Sequence, residues 1–157
     1  MNLLEILNTT QVSEICRRDA VFTSENMSLA SVLNGMDLNH QGATVVLDTA
    51  GKMAGIFTER DVLLRLSGLS GDWRDQSVRD FMTKDPVTIA ETHSVAAALY
   101  TMEKGNFRHL PVVDEYGQPS GIISIRSILG YVVDYFPDEF INLPPRPSLE
   151  AKSNWGG

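Results

Sequence analysis

Apolar residues recur at spacings of three and four in two stretches of the chain, Leu29, Val32, Leu33, Met36 and Val95, Ala98, Leu99, Met102. That spacing lines one face of a helix. Each stretch follows an acidic, serine-containing segment, Ser24-Glu25-Asn26-Met27-Ser28 or Ala90-Glu91-Thr92-His93-Ser94, of the kind that opens a helix. Short apolar runs at 20–23 and 87–89 precede the predicted helices, and runs at 43–47 and 110–113 follow them. A glycine-containing turn comes next, Asp48-Thr49-Ala50-Gly51 or Asp114-Glu115-Tyr116-Gly117. A strand opened by glycine follows at 55–57 or 121–123, and a last helix starts at 58–61 or 124–127.

The order β-α-β-β-α therefore occurs twice, and the copies align without a gap at an offset of 66 residues. Between residues 12–63 and 78–129, 15 of 52 positions are identical. Chance matching of common residue types would give about three. One copy is too small to bury its own apolar face, whereas two copies with matching faces bury each other. The predicted fold is α/β in content (α+β), with two repeats related by a pseudo-twofold axis, their sheets packed together and their helices outside. The predicted organisation is an N-terminal extension (1–11), a first repeat (12–66), a linker (67–76), a second repeat (77–136) and a Pro-rich C-terminal tail (137–157).

Composition narrows the function classes. Hydrophobic residues make up 43% and charged residues 21%, a globular balance. No apolar run is long enough to span a bilayer, and the N-terminus lacks a basic leader, so neither membrane insertion nor a signal peptide is expected. Cys16 is the one cysteine, which excludes an internal disulfide and suits a reducing, cytoplasmic location. Its repeat counterpart is Met82, which suggests a small packing residue. The net charge of −7 argues against a general nucleic-acid binder but not against one small anion. His40, His93 and His109 show no metal-ligand spacing, His93 reads as an exposed helix-start residue, and there is no nucleophile elbow or phosphate loop.

Three motifs stand in register inside the duplication: Gly55-Ile56-Phe57-Thr58-Glu59-Arg60-Asp61, Met82-Thr83-Lys84-Asp85-Pro86-Val87-Thr88-Ile89, and Arg108-His109-Leu110-Pro111-Val112-Val113. Together they resemble a pair of CBS domains, a Bateman module, over about residues 12–135. The resemblance implies two clefts between the paired halves and an adenosine-containing ligand such as AMP, ADP, ATP or S-adenosylmethionine. It also implies a regulatory role, including energy sensing, either within larger proteins or as a stand-alone module.

In the main site, Asp61 offers paired acceptors for the two ribose hydroxyls. Thr58, at a strand-to-helix turn, suits a phosphate oxygen, or equally a helix cap with Asp61 in a first-turn position that favours acids. The resemblance places Arg108 and His109 beside the phosphates. Arg60 and Arg126 are repeat-equivalent and are expected to face the shared centre, so that three arginines and a histidine form a locally positive pocket on an acidic protein. The resemblance also places Thr83, Pro86, Thr88 and Pro111 in the same site, where adenine needs an apolar slot. The second site is weaker: Ser124, Arg126 and Ser127 stand there, Ser127 lacks the paired acceptors of Asp61, and Gly42-Ala43-Thr44-Val45 replaces Arg108-His109-Leu110-Pro111.

The expected function is a non-catalytic regulatory module, with no catalytic cofactor, that binds an adenine nucleotide, forms a homodimer and signals to an unidentified regulated protein. The alternative is a structural dimerisation or docking module with no small ligand. An enzyme acting on a nucleotide has no supporting motif. Two flanking segments invite packing roles. Leu3, Leu4, Ile6 and Leu7 suit a short amphipathic helix at a dimer contact, and Phe140, Ile141 and Leu143 suit an apolar strap in the tail.

Overall fold

Ser28 and Ser94 each cap a helix. Their hydroxyls accept from the backbone N–H groups of Ser31 at 3.3 Å and Ala97 at 3.1 Å, pairing donors that a helix start leaves unsatisfied. The helices are α2 (Leu29–Leu38) and α4 (Val95–Gly105). Their apolar stripes, Leu29, Val32, Met36 and Val95, Ala98, Met102, are buried. The structure, a computed structural model, describes residues 1–19 and 22–138.

Each helix leads into an antiparallel hairpin, β2 (Ala43–Leu47) with β3 (Met53–Thr58) and β6 (His109–Val113) with β7 (Pro119–Ser124). Gly51 and Gly117 take the left-handed turn position, with φ of 79° and 77°. A parallel strand borders each hairpin, β1 (Phe22–Ser24) on β2 and β5 (Ile89–Ala90) on β6. A helix closes each repeat, α3 (Glu59–Asp61) continued by a π-helical turn (Val62–Leu66), and α5 (Ile125–Tyr135). The predicted β-α-β-β-α order is present in both halves. Boundaries differ: β5 starts at Ile89 rather than 87, and of the run at 20–23, Ala20 and Val21 lie outside the described residues.

The sequence repeat and the packing unit are not the same. Residues 83–84 form a short strand, β4 (Thr83–Lys84), that adds to the first repeat's sheet and makes it four-stranded. Val78, Phe81 and Met82 pack with Leu29, Val32 and Phe57 in the first repeat's core. Val12 packs with Val95, Leu110 and Ile123 in the second repeat's core. Each repeat thus lends its leading segment to the other. Val12 and Val78 are both fully buried, and burial of a side chain of that kind is worth about 1.5–2 kcal/mol.

The exchange explains the glycine that opens each second strand. Thr83 pairs with Ile56, and Arg17 makes the matching bridge to Ile122, with N–H···O distances of 2.8 and 2.9 Å. A Cβ on Gly55 would run into the carbonyl oxygen of Thr83, and one on Gly121 into that of Arg17. Between the sheets lie Ala43, Val45, Ile56 and Ile122, so sheet packs on sheet with helices outside. Residues 74 and 76, between the repeats, also have work: the carbonyls of Gln76 and Arg74 accept from the first-turn N–H groups of Leu29 and Ala30.

At the N-terminus, α1 (Leu3–Thr9) is capped by Asn2, whose side chain accepts from Glu5 N at 2.9 Å. Ile6 is buried and Leu7 packs on the second repeat's core, so half of the face expected at a dimer contact covers its own chain. Leu3 and Leu4 stay exposed. Cys16 packs against the same core. The expected strap at Phe140, Ile141 and Leu143 lies outside the described residues.

Candidate functional site

Where β3 turns into α3, Thr58 and Asp61 hold each other in a capping box. The Asp61 carboxylate Oδ2 accepts from Thr58 N at 2.9 Å and from its hydroxyl at 3.3 Å, and the hydroxyl accepts from Asp61 N at 3.4 Å. Asp61 is buried, 7% exposed. Its Oδ1 lies 3.3 Å from Nε of Arg65, whose NH1 also donates to the carbonyls of Phe81 and Met82 at 2.9 Å each. Both capping and orientation are therefore built in. Oδ2 is engaged twice by Thr58, whereas Oδ1, beside Arg65, retains a lone pair for a hydroxyl donor from outside.

A second wall comes from the segment after β4. Asp85 sits in the left-handed region (φ 48°) directly before Pro86. Non-glycine residues adopt that conformation at a cost, and such positions cluster at ligand sites. A third wall begins at Asn106, the left-handed cap of α4, and continues through Phe107 and Arg108 to His109 at the start of β6. Gly42 faces this wall from the first repeat. A Cβ there would lie 3.0 Å from Nε2 of His109 and 3.5 Å from Oε2 of Glu59.

These walls enclose a cleft of about 580 Å³ between the repeats. Thr58, Arg60, Asp61, Thr83, Pro86, Arg108, His109 and Pro111 all line it. Thr88 does not. The lining from this segment is Asp85, Pro86 and Val87, and it ends before Thr88. Sequence reasoning passed over Gly42, Glu59, Leu63, Leu64, Asp85 and Phe107, which line it too. Phe107 stands next to the Arg108-His109 pair, and that adjacency was a usable signal; Leu63 and Leu64 read as ordinary helix residues.

The cleft is less positive than the sequence suggested. Arg126 does not line it, and NH1 of Arg60 donates to the carbonyl of Asn106 at 2.9 Å, across the cleft from α3 to the end of α4. Carboxylates of Glu59 and Asp85 stand beside the cations. Burial pushes the pKa of His109 below its ordinary value. Glu59 pulls it back up, and Arg108 adds to the lowering.

In the second repeat, Ser124 and Ser127 reproduce the capping box. Ser127 Oγ accepts from Ser124 N at 3.0 Å, and Ser124 Oγ accepts from Ser127 N at 3.0 Å. Ser127 also donates to the carbonyl of Ser124 at 2.8 Å. Arg126 is exposed beside them. Among the described residues no cluster of His, Cys, Asp or Glu could hold a metal, and no helix is long and apolar enough to cross a membrane.

Comparison with known proteins agrees with this architecture. The family model for the CBS domain matches residues 12–68 and 78–134. An uncharacterized 17.7 kDa protein in the bps2 3' region of Acidianus ambivalens is 32% identical over 143 residues, 91% of this chain and 83% of that protein. The CBS-domain containing protein ATU1752 of Agrobacterium tumefaciens has a similar structure, with a TM-score of 0.71 and 32% identity over 78% of this chain and 99% of that one. The CBS domain pair of protein MJ0100, solved in complex with 5'-methylthioadenosine and S-adenosyl-L-methionine, superimposes with a TM-score of 0.70 over 80% of this chain and 98% of that one. At 23% identity that last likeness is one of fold.

Proposed function

The chain belongs to the CBS-domain family, and from that premise we propose that it is a non-catalytic regulatory module that binds an adenosine-containing ligand in the main cleft. One observation carries the reading: Asp61, Thr58, Arg108, His109 and Phe107 come from both repeats and converge on one cleft. The carboxylate of Asp61 is buried, rigidly held and acceptor-only, which suits a ribose diol. Ile56, Leu63, Leu64, Val87 and Phe107 supply the apolar slot that a purine needs. Arg108 supplies the polar end for a phosphate or carboxylate, and the Thr58 hydroxyl joins it by turning its proton away from Asp61 Oδ2. The complexes solved for the CBS pair of MJ0100 support an adenosyl ligand on this fold.

Because the cleft joins two repeats, a ligand that fits one arrangement of them better shifts the population toward it. That is the means by which AMP, ADP, ATP or S-adenosylmethionine would signal to a regulated partner, in energy sensing or a related role in the cytoplasm. The net charge of −7 disfavours nucleic acid as that partner. A thermal-shift series with AMP, ADP, ATP, S-adenosylmethionine and NADH tests the reading. Stabilisation that rises with ligand concentration and disappears in Asp61→Ala is expected; no stabilisation by any of them rejects it.

A docking or dimerisation module is the second reading, and one observation favours it. Leu63 and Leu129 are repeat-equivalent, and both are exposed, at 70% and 59%. A homodimer that covers them accords with either reading. Sedimentation of the Leu63→Asp, Leu129→Asp variant beside the wild type tests it, and an unchanged mass would place the contact elsewhere.

A further inference from the structure

The region around Ser124 and Ser127, the repeat counterpart of the main cleft and here called the second cleft, differs from it at a residue that the duplication makes easy to pair. Thr83 lines the main cleft, and its counterpart 66 residues earlier is Arg17. The backbones at these two positions do the same thing, Thr83 pairing with Ile56 and Arg17 with Ile122. Their side chains therefore leave equivalent points of the two clefts.

In the main cleft the wall opposite Thr83 is Phe107-Arg108, which follows the end of α4. The corresponding wall of the second cleft follows the end of α2, where Asn39 caps the helix and Gln41 replaces Phe107. Arg17 reaches that wall. Its NH1 donates to the carbonyl of Asn39 at 2.9 Å, while its Nε lies 3.6 Å from Oδ1 of Asp19, the counterpart of Asp85. Asn39 is held for this contact, because its side chain donates to the carbonyl of Gly35 at 2.8 Å. At the position of Asn39 the other half has Gly105, whose missing side chain makes room for the ring of Phe107. One half thus places an aromatic ring against a glycine and a threonine at the cleft, which Arg60 crosses to the carbonyl of Asn106 without filling it. The other places an arginine across the same gap.

We propose that Arg17 is the residue that bars the second cleft, so that the module takes one ligand per chain by self-occupation as well as by the weaker chemistry of Ser127. The proposal rests on reading the main cleft as a ligand site for its stoichiometry, but the bar itself is a property of the chain alone. Here the guanidinium enters from the position of Thr83 itself and is fixed by a charge-assisted bond to a helix-terminal carbonyl. The backbone tolerates a small residue here, since Thr83 occupies the same conformational position in the other half.

Accessibility of position 127 tests this without any ligand. In a Cys16→Ala background, Ser127→Cys is labelled with a maleimide in the presence of Arg17 and in Arg17→Thr, with Arg17→Ala as a second variant should the first fold poorly. Labelling several-fold faster without the arginine is expected. Equal rates overturn the proposal, as does calorimetry in which the wild type binds two equivalents of AMP or S-adenosylmethionine. A wild type that binds neither ligand rejects the nucleotide reading and leaves the labelling result to decide on Arg17.

Discussion

The carboxylate of Asp61 lies 3.3 Å from the Nε of Arg65, whereas Ser127 and Tyr131 stand at the corresponding positions of the second repeat. Asp61 therefore carries two duties, capping α3 and presenting a fixed acceptor to the cleft, while Ser127 performs only the first. The Asp61→Ser variant separates them, because Ser127 shows that serine sustains the same cap. Its unfolding free energy should change by no more than about 1 kcal/mol, the scale of a cap or a half-exposed ion pair. Affinity for AMP should fall about ten- to a hundredfold, the worth of a charged hydrogen bond. Urea unfolding and titration calorimetry give both numbers. Unchanged affinity would assign Asp61 to capping alone.

Burial is the chief cause that lowers the pKa of His109, with Glu59 opposing that effect and Arg108 adding to it. Its folded pKa lies below the ordinary 6.5, so between the two values the unfolded chain binds more protons. Stability from this residue is complete above the unfolded value and is lost as pH falls through the folded one. Wild type should lose more stability than His109→Gln between neutral pH and about pH 5, measured by thermal unfolding. An anionic phosphate beside the ring favours the imidazolium, so AMP binding should take up a proton and tighten on acidification. Adenosine, without the phosphate, should show neither effect.

The duplication made most of this architecture legible. Repeat-paired caps at Ser28 and Ser94, turns at Gly51 and Gly117, and strand-opening glycines at Gly55 and Gly121 mark the same elements twice. The exchange of leading segments was not legible. Val12 and Val78 fit either core by polarity, and the pairing of Thr83 with Ile56 and of Arg17 with Ile122, close against Gly55 and Gly121, shows which sheet each segment joins. The site was readable where chemistry is local, as at Thr58 and Asp61. It was hidden where the partner is distant in sequence: Arg60 meets Asn106, Gly42 faces His109, and Arg17 reaches Asn39. Thr88 lies outside the cleft because the segment leaves the wall after Val87, just before β5 begins at Ile89.

Charge at the main cleft should discriminate among adenine nucleotides. Among the described residues, carboxylates of Glu59, Asp61 and Asp85 line it together with Arg60 and Arg108 as cations. A unit-charge pair about 6 Å apart interacts by roughly 3 kcal/mol at an effective dielectric constant near 20, and by less where water enters. A free triphosphate meets more of this repulsion than a monophosphate. Without divalent cations, ATP should bind more weakly than AMP, and Glu59→Gln should narrow the ratio. Calorimetry with both nucleotides on both proteins checks it; a ratio unmoved by the substitution would put Glu59 out of reach of the phosphates.

The exchanged segments make a prediction that crosses the repeat boundary. Val12 belongs to the first repeat in sequence and to the second in packing, and Val78 the reverse. Truncation of a buried valine to alanine removes two methyl groups and leaves a cavity, at a cost of about 2–3 kcal/mol. Both Val12→Ala and Val78→Ala should lower a single cooperative transition, because neither core is closed without the other repeat. Hydrogen exchange should then tell them apart. Val12→Ala should weaken protection first in α4, β6 and β7, and Val78→Ala first in α2, β2 and β3, since local opening follows the contacts that are lost. If each variant loosened only the repeat that contains it in sequence, the leading segments would not be the elements that hold the two halves together.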